Sequence, residues 1–456
     1  METSISDIIL NRNPNVIICK LEENFYAAVN PFVKNGIKII NSNQYKIYNE
    51  IDGKKSLEQL AKNTGFTQED IFMVFKILKE KNYINSTGLF MEPKWNKNVK
   101  SLTFWVHTTN DCSLRCSYCY IHTLGLNGYL NEQHIKVLCD KLVETAKKKK
   151  LGSITLRLAG GEPLLKFRLW KPYLLEYKKR LQDISCKLHI TFLSNLVTLD
   201  EEIINFIKEN SFGIGVSLDG IGDFHNKTRH FENGKGSFAL VERNIRQLKE
   251  NGITPGIMTV VSNANLKGME DLTQFIIDNN LYARYSFGQG DKCEKMNEKK
   301  LIHTLQLCYN KYENAIERGF LFSQLHKLCD LHLDNPYFQT CSNGFSGGAI
   351  YIDGNIYFCQ RHFGKETPNG SIFEKDDMLS IVRRKTFYND VSTECKECNL
   401  RYLCTSGCPV ERENGKSIYC EVFKEIIPVI LLLKGKERLH ELKIKYNTQK
   451  GGENDE

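Results

Sequence analysis

Between residues 100 and 325, short apolar runs alternate with longer amphipathic stretches. The apolar runs are "LTFWVHT", "SITLRLAGG", "LHITFLSN", "GIGVSLDG", "GIMTVVSN" and "ARYSFG". Segments such as "NEQHIKVLCDKLVETAKKKK" and "FALVERNIRQLKENG" carry the helical period between them. Six consecutive βα units predict an α/β fold with a parallel sheet, either open and doubly wound or curled into a partial barrel. In both, chemistry gathers beyond the carboxyl ends of the strands. Cys112–Cys119 follow the first run, Gly160–Pro163 the second, Ser194 and Asn195 the third, and Ser217 and Asp219 end the fourth.

The pattern changes on either side. Residues 25–95 read as short strands followed by three short helices. "GIKIINSNQYKIYNEI" predicts an extended start and a helix, and "SLEQLAKNTG" a helix capped by Ser56 and stopped at Gly65. "TQEDIFMVFKILKEKNYI" predicts a third helix capped by Thr67, with Glu69 standing one residue early for a capping box. This order resembles a winged helix-turn-helix. Its last helix offsets Lys76, Lys79 and Lys81 with Glu69, Asp70 and Glu80, so charge gives no support for entry into a nucleic-acid groove. Near the other end, "EIIPVILLLKG" is too short to cross a bilayer and predicts a packed C-terminal helix.

Composition narrows the chemistry. The N-terminal "METSISDIILNRNPNVIICK" lacks the basic and extended apolar regions of a secretory signal, so a cytoplasmic location is expected. Sixteen cysteines in a reducing compartment predict metal ligation or catalysis rather than disulfides. The net charge of +8 suits nucleic acid, yet "KKKK" at Lys147–Lys150 ends a helical pattern, where cations complement the helix dipole. Neither nucleic acid nor a membrane is an expected partner.

The stretch "TTNDCSLRCSYCYIH" sets three thiols on one loop. Three thiolates suit three irons of a cubane cluster and leave the fourth iron with an exchangeable position. Zinc would need a fourth ligand, for which His107 and His122 are candidates. The C-x3-C-x2-C spacing, with Tyr118 before the last cysteine, and "GGEP" at Gly160–Pro163 resemble the signature of the radical S-adenosylmethionine (SAM) superfamily. The resemblance implies a partial (β/α)6 TIM-like barrel over residues 96–325 with a catalytic [4Fe–4S] cluster on Cys112, Cys116 and Cys119. It implies SAM contacts from Tyr118, Gly160, Gly161, Glu162 and Pro163, with Glu162 receiving the methionine ammonium. Ser194 and Asn195 stand at ribose-contact positions, and Ser217 and Arg229 at carboxylate-contact positions. In "HNKTRH" the family's usual Asp after His is Asn226. Asp219 is a candidate either for the pocket or for ordering the SAM loop.

From Cys341 the sequence reads C-x12-G-x4-C, a gap, C-x2-C-x5-C-x3-C, a second gap, then Cys420. This spacing resembles the iron–sulfur SPASM extension of radical SAM enzymes, expected over residues 326–425, with residues 426–456 as a C-terminal helix and disordered tail. The resemblance implies two auxiliary [4Fe–4S] clusters, three clusters in all. One would take Cys341, Cys359 and Cys408, and the other Cys395, Cys398, Cys404 and Cys420. The eighth ligand is missing: either Cys329 supplies it, or, as the preferred reading, the position is open to a substrate thiolate. Cys19, Cys139, Cys186, Cys293 and Cys308 fall mostly in strand or helix patterns and are expected as buried small hydrophobes.

Peptide-modifying enzymes of this kind often begin with a PqqD-like winged-helix domain, which residues 1–95 resemble. The implied partners are a precursor peptide bound through its leader and an electron donor such as flavodoxin or ferredoxin. The implied activity is a peptide maturase forming a cysteine thioether. Formylglycine formation on a sulfatase is the alternative within this chemistry, and a winged-helix iron–sulfur redox regulator the alternative outside it.

Overall fold

The computed structural model describes residues 8–124, 127–288, 290, 293–386 and 391–451. At the N-terminus, β1 (Asn11–Arg12) precedes an antiparallel meander of β2 (Ile17–Glu22), β3 (Phe25–Val29) and β4 (Ile37–Asn41). Three helices follow, Ser42–Glu50, Leu57–Thr64 and Gln68–Lys79, and β5 (Ile84–Asn85) returns to pair with β1. The helices begin where the sequence places them. Asn41, Ser56 and Thr67 each cap an N-terminus with a reciprocal box, and Gly65 ends the second helix in the left-handed region at φ 78°. The third box is closed by Asp70 rather than Glu69, because only the third helical position reaches back to the cap N–H. Ile40, Ile47, Tyr48, Leu57, Leu60, Ile71, Phe75 and Leu78 give this unit a core of its own.

The six predicted strands form as β6 (Ser101–Thr109), β7 (Ser153–Gly160), β8 (Lys187–Ser194), β9 (Gly213–Ser217), β10 (Gly256–Val261) and β11 (Tyr282–Phe287). Each is parallel to its neighbour, and helices such as Glu132–Lys149 and Phe238–Glu250 fill the crossovers. The sheet extends further than the apolar runs predict. β12 (His326–Leu328) adds a parallel strand beside β11, and β13 (Gly347–Ile350) pairs in parallel with β6, carrying β14 (Asn355–Tyr357) and β15 (Gly370–Ser371) antiparallel beyond it. The order is β12-β11-β10-β9-β8-β7-β6-β13-β14-β15. The cysteine-bearing C-terminal region therefore grows directly on the barrel sheet. "GGAI" is too short and too glycine-rich to show a two-residue period, so the sequence gives no sign of this junction.

A last hairpin, β16 (Arg412–Glu413) with β17 (Lys416–Ser417), leads into the helix Cys420–Gly451. That helix extends to Gly451, and the rest of the expected tail, residues 452–456, lies outside the described residues. It crosses the N-terminal meander, where Gly435 comes so close that an added Cβ would lie 2.8 Å from the Cβ of Ala27. Among the described residues no helix is long and apolar enough to cross a membrane. The lysines at 147–150 end the helix Glu132–Lys149 as expected, and Lys148 and Lys149 both pair with Asp377.

Candidate active site

The three-cysteine loop leaves the carboxyl end of β6 and is stitched to residues 228–231. Arg115 N–H donates to His230 O (2.8 Å) and Ser117 N–H to Thr228 O (3.0 Å). The Cys112 sulfur accepts from Leu114 N–H (3.4 Å) and from Asn195 Nδ2 (3.5 Å), and Arg229 Nη1 lies 3.8 Å from the Cys116 sulfur. Burial pushes the Cys112 thiol up to about 12, with Cys116 and Cys119 adding to the rise. Burial also raises Cys116, against the opposing charge of Arg229. His107 is buried with Nε2 held 2.6 Å from Asn110 Oδ1, while its Nδ1 is buried without a hydrogen-bond partner.

The second strand delivers the next elements. Gly160 adopts φ +125°, and a Cβ there would lie 2.5 Å from Thr109 O. A Cβ on Gly161 would meet Asp111 O at 2.1 Å, so only glycine lets this turn press against the cysteine loop. Glu162, wholly buried, follows, and Pro163 opens a short 3-10 turn. The Glu162 carboxyl accepts from Leu164 N–H (3.1 Å), Ser194 Oγ (2.8 Å) and Asn195 N–H (2.8 Å). Burial raises its pKa to about 7, although these donors and Arg229 pull the other way. Ser194 and Asn195 thus tie the third strand end to the second, and Asn195 reaches on to Cys112.

Asp219, also wholly buried, is the hub that the sequence left undecided. Its Oδ2 accepts from Tyr118 Oη (2.5 Å), Arg229 Nε (2.7 Å) and Thr228 Oγ1 (3.2 Å), and its Oδ1 from Val260 N–H (3.0 Å). Burial pushes its pKa up, but Arg229, His225, Tyr118 and the Val260 N–H together hold it below the usual carboxylate range. With every oxygen engaged, Asp219 anchors the cysteine loop and Arg229 and is poorly placed to act as a free base. His225, Thr228 and Asn265 belong to the same network and were not legible in advance: Asp219 N–H lies 3.3 Å from His225 Nδ1, and Asn265 Nδ2 donates to Asp219 O at 2.7 Å. Asn226 serves locally, accepting from Phe238 N–H (3.0 Å) at the start of the next helix. Ser217 ends β9 in register with Met258 and is half-buried.

In the C-terminal region the cysteines fall into two groups that sense one another. The Cys404 thiol, raised to about 12 chiefly by burial, is pushed further by Cys420, Cys395 and Cys398. Cys341 and Cys359, each raised to about 12 by burial, both feel Cys408, and Cys341 also feels Cys359. Cys404 and Cys408 are four residues apart yet serve different groups, because Thr405, Ser406 and Gly407 all take positive φ (50°, 63° and 73°). Arg412 gathers the three carbonyls of this left-handed turn, with its Nη2 2.8 Å from Thr405 O and 3.2 Å from Gly407 O, and its Nε 3.1 Å from Ser406 O. Cys329 follows β12 at φ 48°, its thiol raised to about 12 chiefly by burial and also by Cys408. Of the cysteines expected in the core, Cys139, Cys186 and Cys308 are buried, whereas Cys19 and Cys293 are only half-buried.

The donor sets suit iron–sulfur clusters. None of the sixteen cysteines is in a disulfide, and among the described residues no three His, Cys, Asp or Glu side chains converge as a single metal ion would require. A cubane takes one thiolate per iron, and these groups offer three or four thiols each.

Residues 106–276 match the radical SAM superfamily. The chain is 27% identical to the cysteine-type anaerobic sulfatase-maturating enzyme of Clostridium novyi (strain NT), across 72% of this chain and 94% of that protein. In fold it is similar to anSMEcpe with bound AdoMet, with a TM-score of 0.62 at 19% identity, covering 74% of this chain and 99% of that one. It is also similar to Streptococcus suis SuiB bound to precursor peptide SuiA, with a TM-score of 0.53 at 14% identity, covering 91% of this chain and 100% of that one. The match at residues 106–276 implies a [4Fe–4S] cluster and SAM, for which the loop at Cys112–Cys119 offers three thiols and the turn at Gly160–Pro163 a carboxylate. The chain is therefore an enzyme whose residues 106–276 match the radical SAM superfamily.

Proposed function

We propose that this enzyme modifies a leader-bearing precursor peptide, forming a thioether between a substrate cysteine and a carbon of the same peptide. One observation carries the reading: residues 8–85 form a small unit with a core of its own, joined to the main core through one face of its meander, with β2 and β4 as sheet edges. The sulfatase-maturase likeness spans under three quarters of this chain, whereas the likeness to peptide-bound SuiB spans nine tenths. A peptide added as a strand at such an edge would be tethered near the barrel, raising the effective concentration of its remaining residues at the site.

With the cluster on Cys112, Cys116 and Cys119 and SAM beside it, the pair supplies a 5′-deoxyadenosyl radical that takes a hydrogen atom from the substrate. The chain's own residues do the positioning. Glu162, held by Ser194, Asn195 and Leu164, keeps a carboxylate lone pair for the methionine ammonium. Arg229 has its Nε on Asp219 and turns Nη1 toward Cys116, leaving the fork a further donor for the methionine carboxylate. Tyr118, tied through its hydroxyl to Asp219 and with Arg229 5.4 Å from its ring centre, fixes the loop between Cys116 and Cys119.

Two auxiliary clusters, on Cys341, Cys359 and Cys408 and on Cys395, Cys398, Cys404 and Cys420, complete the proposal and make three. Their place is to bind substrate sulfur or accept the electron released when the C–S bond forms. A second reading, formylglycine formation, is favoured by Cys329: a half-buried thiol close enough to feel Cys408 can fill the fourth position of the first auxiliary cluster and leave none for substrate.

The test is anaerobic incubation of the reconstituted enzyme with SAM, reductant and, separately, a Cys-bearing leader peptide from any small reading frame found beside its gene and a sulfatase peptide, read by mass spectrometry. Loss of two hydrogens per link with the sulfur retained supports the thioether. Exchange of a thiol for an aldehyde on a sulfatase peptide would replace that reading with the second. The same preparation should hold about twelve irons, and about eight after Cys112, Cys116 and Cys119 are changed to Ala.

A further inference from the structure

The chain between the N-terminal unit and the barrel is held by its side chains rather than by backbone structure. Residues 89–100 carry neither helix nor strand, and Leu89 and Met91 stand in solvent, 80% and 79% exposed. Two residues of this strap are nonetheless fixed. The Glu92 carboxylate accepts from Arg401 Nη2 (2.6 Å) through one oxygen and from Tyr402 Oη (2.7 Å) through the other. Trp95 stacks on Phe338 with ring centres 5.7 Å apart and leans on Phe345 at 5.1 Å, and Phe338 in turn meets Tyr402 at 5.2 Å. The N-terminal unit reaches the same two residues directly. Phe32, on the turn between β3 and β4, packs edge-on against Tyr402 (4.9 Å), and the Arg401 guanidinium lies 4.3 Å from its ring centre, within range of the ring's attraction for a cation. Three residues on, Asn35 N–H donates to Asp334 O (2.7 Å).

Arg401 and Tyr402 open the one-turn helix Arg401–Cys404, inside the stretch that links Cys398 to Cys404. Arg401 turns its Nη1 back to Cys398 O (2.9 Å). The carbonyls of Tyr402 and Leu403 accept from Tyr337 N–H and His332 N–H, each at 3.0 Å, so this helix is fixed on its other side as well. A single guanidinium therefore touches the carbonyl of one thiol residue, the carboxylate of the strap and a ring of the N-terminal unit. Arg401 keeps 18% of its side chain exposed and Glu92 keeps 55%. Exposed ion pairs contribute little, so the competing account is a surface contact to which neither end responds.

We propose that Glu92 is a positioning residue for the site on Cys395, Cys398, Cys404 and Cys420, and that through Arg401 and Phe32 this site and the N-terminal unit stabilise one another's placement. Filling a site of four thiols orders the segment that carries them. An ordered segment holds Arg401 and Tyr402 where Glu92 and Phe32 meet them. Coupling between two sites is reciprocal, so the grip of the strap also favours the filled site. The coupling stands on these contacts, and its use rests on the peptide reading above: a leader held by the N-terminal unit is presented to the barrel from a docked position only when the four-thiol site is assembled.

The test is amide hydrogen exchange on the anaerobically reconstituted full chain, read by mass spectrometry for residues 32–36 and 89–97. Changing Cys395 and Cys398 to Ala should speed exchange in both segments by about fivefold or more, the lower end of ordinary coupling between sites. Changing Cys112, Cys116 and Cys119 to Ala should leave both segments as they are. In a Glu92→Gln background, where the link is already cut, the Cys395 and Cys398 changes should shift exchange by less than about twofold. A second measurement does not depend on how the cysteine variant folds. With Cys112, Cys116 and Cys119 changed to Ala, so that only auxiliary iron remains, Glu92→Gln should speed the loss of about half of that iron to a chelator by about fivefold or more. Exchange in the two segments that ignores the Cys395 and Cys398 changes, or iron loss that Glu92→Gln does not alter, overturns the proposal. Neither measurement contains a peptide, so their failure strikes the coupling alone, whereas failure of the precursor incubation strikes the peptide reading alone.

Discussion

Asp219→Asn is the substitution whose cost can be worked most directly from the geometry. The carboxylate is fully buried, and Arg229 Nε lies 2.7 Å from it with only a tenth of the arginine side chain exposed. Removing the negative charge strands a buried guanidinium, which costs about 3–5 kcal/mol. The amide cannot restore the network in either orientation. With its oxygen toward Tyr118, Thr228 and Arg229, its NH2 faces the Val260 N–H; turned over, it faces three donors. Domains are stable by about 5–15 kcal/mol, so about a fifth or more of that reserve should disappear. The assay is urea unfolding of the anaerobic protein, wild type against Asp219→Asn, Arg229→Met and the double variant. Either single change strands a charge, whereas the double strands none, so the double should be milder than the sum by about 2 kcal/mol or more. Additive losses within about 0.5 kcal/mol, or an Asp219→Asn cost below about 1 kcal/mol, would refute the anchor.

Other outcomes follow from the same geometry. Glu162 is raised from its ordinary 4.5 to about 7, so its folded form binds a proton that the unfolded chain has released. The stability this provides, about 3 kcal/mol, is full below 4.5 and lost as pH rises to about 7; Glu162→Gln should flatten that slope in SAM-free protein. Gly161→Ala drives a methyl into Asp111 O, so SAM affinity measured by equilibrium dialysis should fall by an order of magnitude or more, while the iron on Cys395, Cys398, Cys404 and Cys420 is retained. Arg412→Gln frees the left-handed turn between Cys404 and Cys408, and both auxiliary clusters should become more labile to chelator than the one on Cys112, Cys116 and Cys119. Cys329→Ala should change the electron paramagnetic resonance signal of one reduced auxiliary cluster if that thiol is its fourth ligand. An unchanged signal returns the open site to favour.

Much of the chemistry was legible because it is local. Cys112, Cys116 and Cys119 stand on one loop, and spacing alone announces them. The glycines at 160 and 161 and the carboxylate at 162 are contiguous, so the turn could be recognised before its partner, the Asp111 carbonyl, was known. The helix caps at Ser56 and Thr67 were readable for the same reason, and the slip from Asp70 to Glu69 is a slip of one position within a local rule. Asp219 was not legible in role. Its identity is plain, but whether a strand-end carboxylate is a base or a buried anchor depends on Tyr118, 101 residues away in sequence, and on Arg229 and Val260.

What the sequence determined by itself is the set of parts: the parallel βα units, the thiol spacings, and the cap and turn residues, each written in one short consecutive stretch of chain. The tertiary structure decided which parts meet. It put β13 beside β6, so that the C-terminal cysteines grow from the barrel edge. It sent Cys404 and Cys408 to different groups through three left-handed residues, and tied Asp219 to Tyr118 and Arg229. Strand and helix periods follow from backbone geometry that each residue carries with it. Contact between residues far apart in the chain depends on sheet order and curvature, which depend on the packing of the whole core.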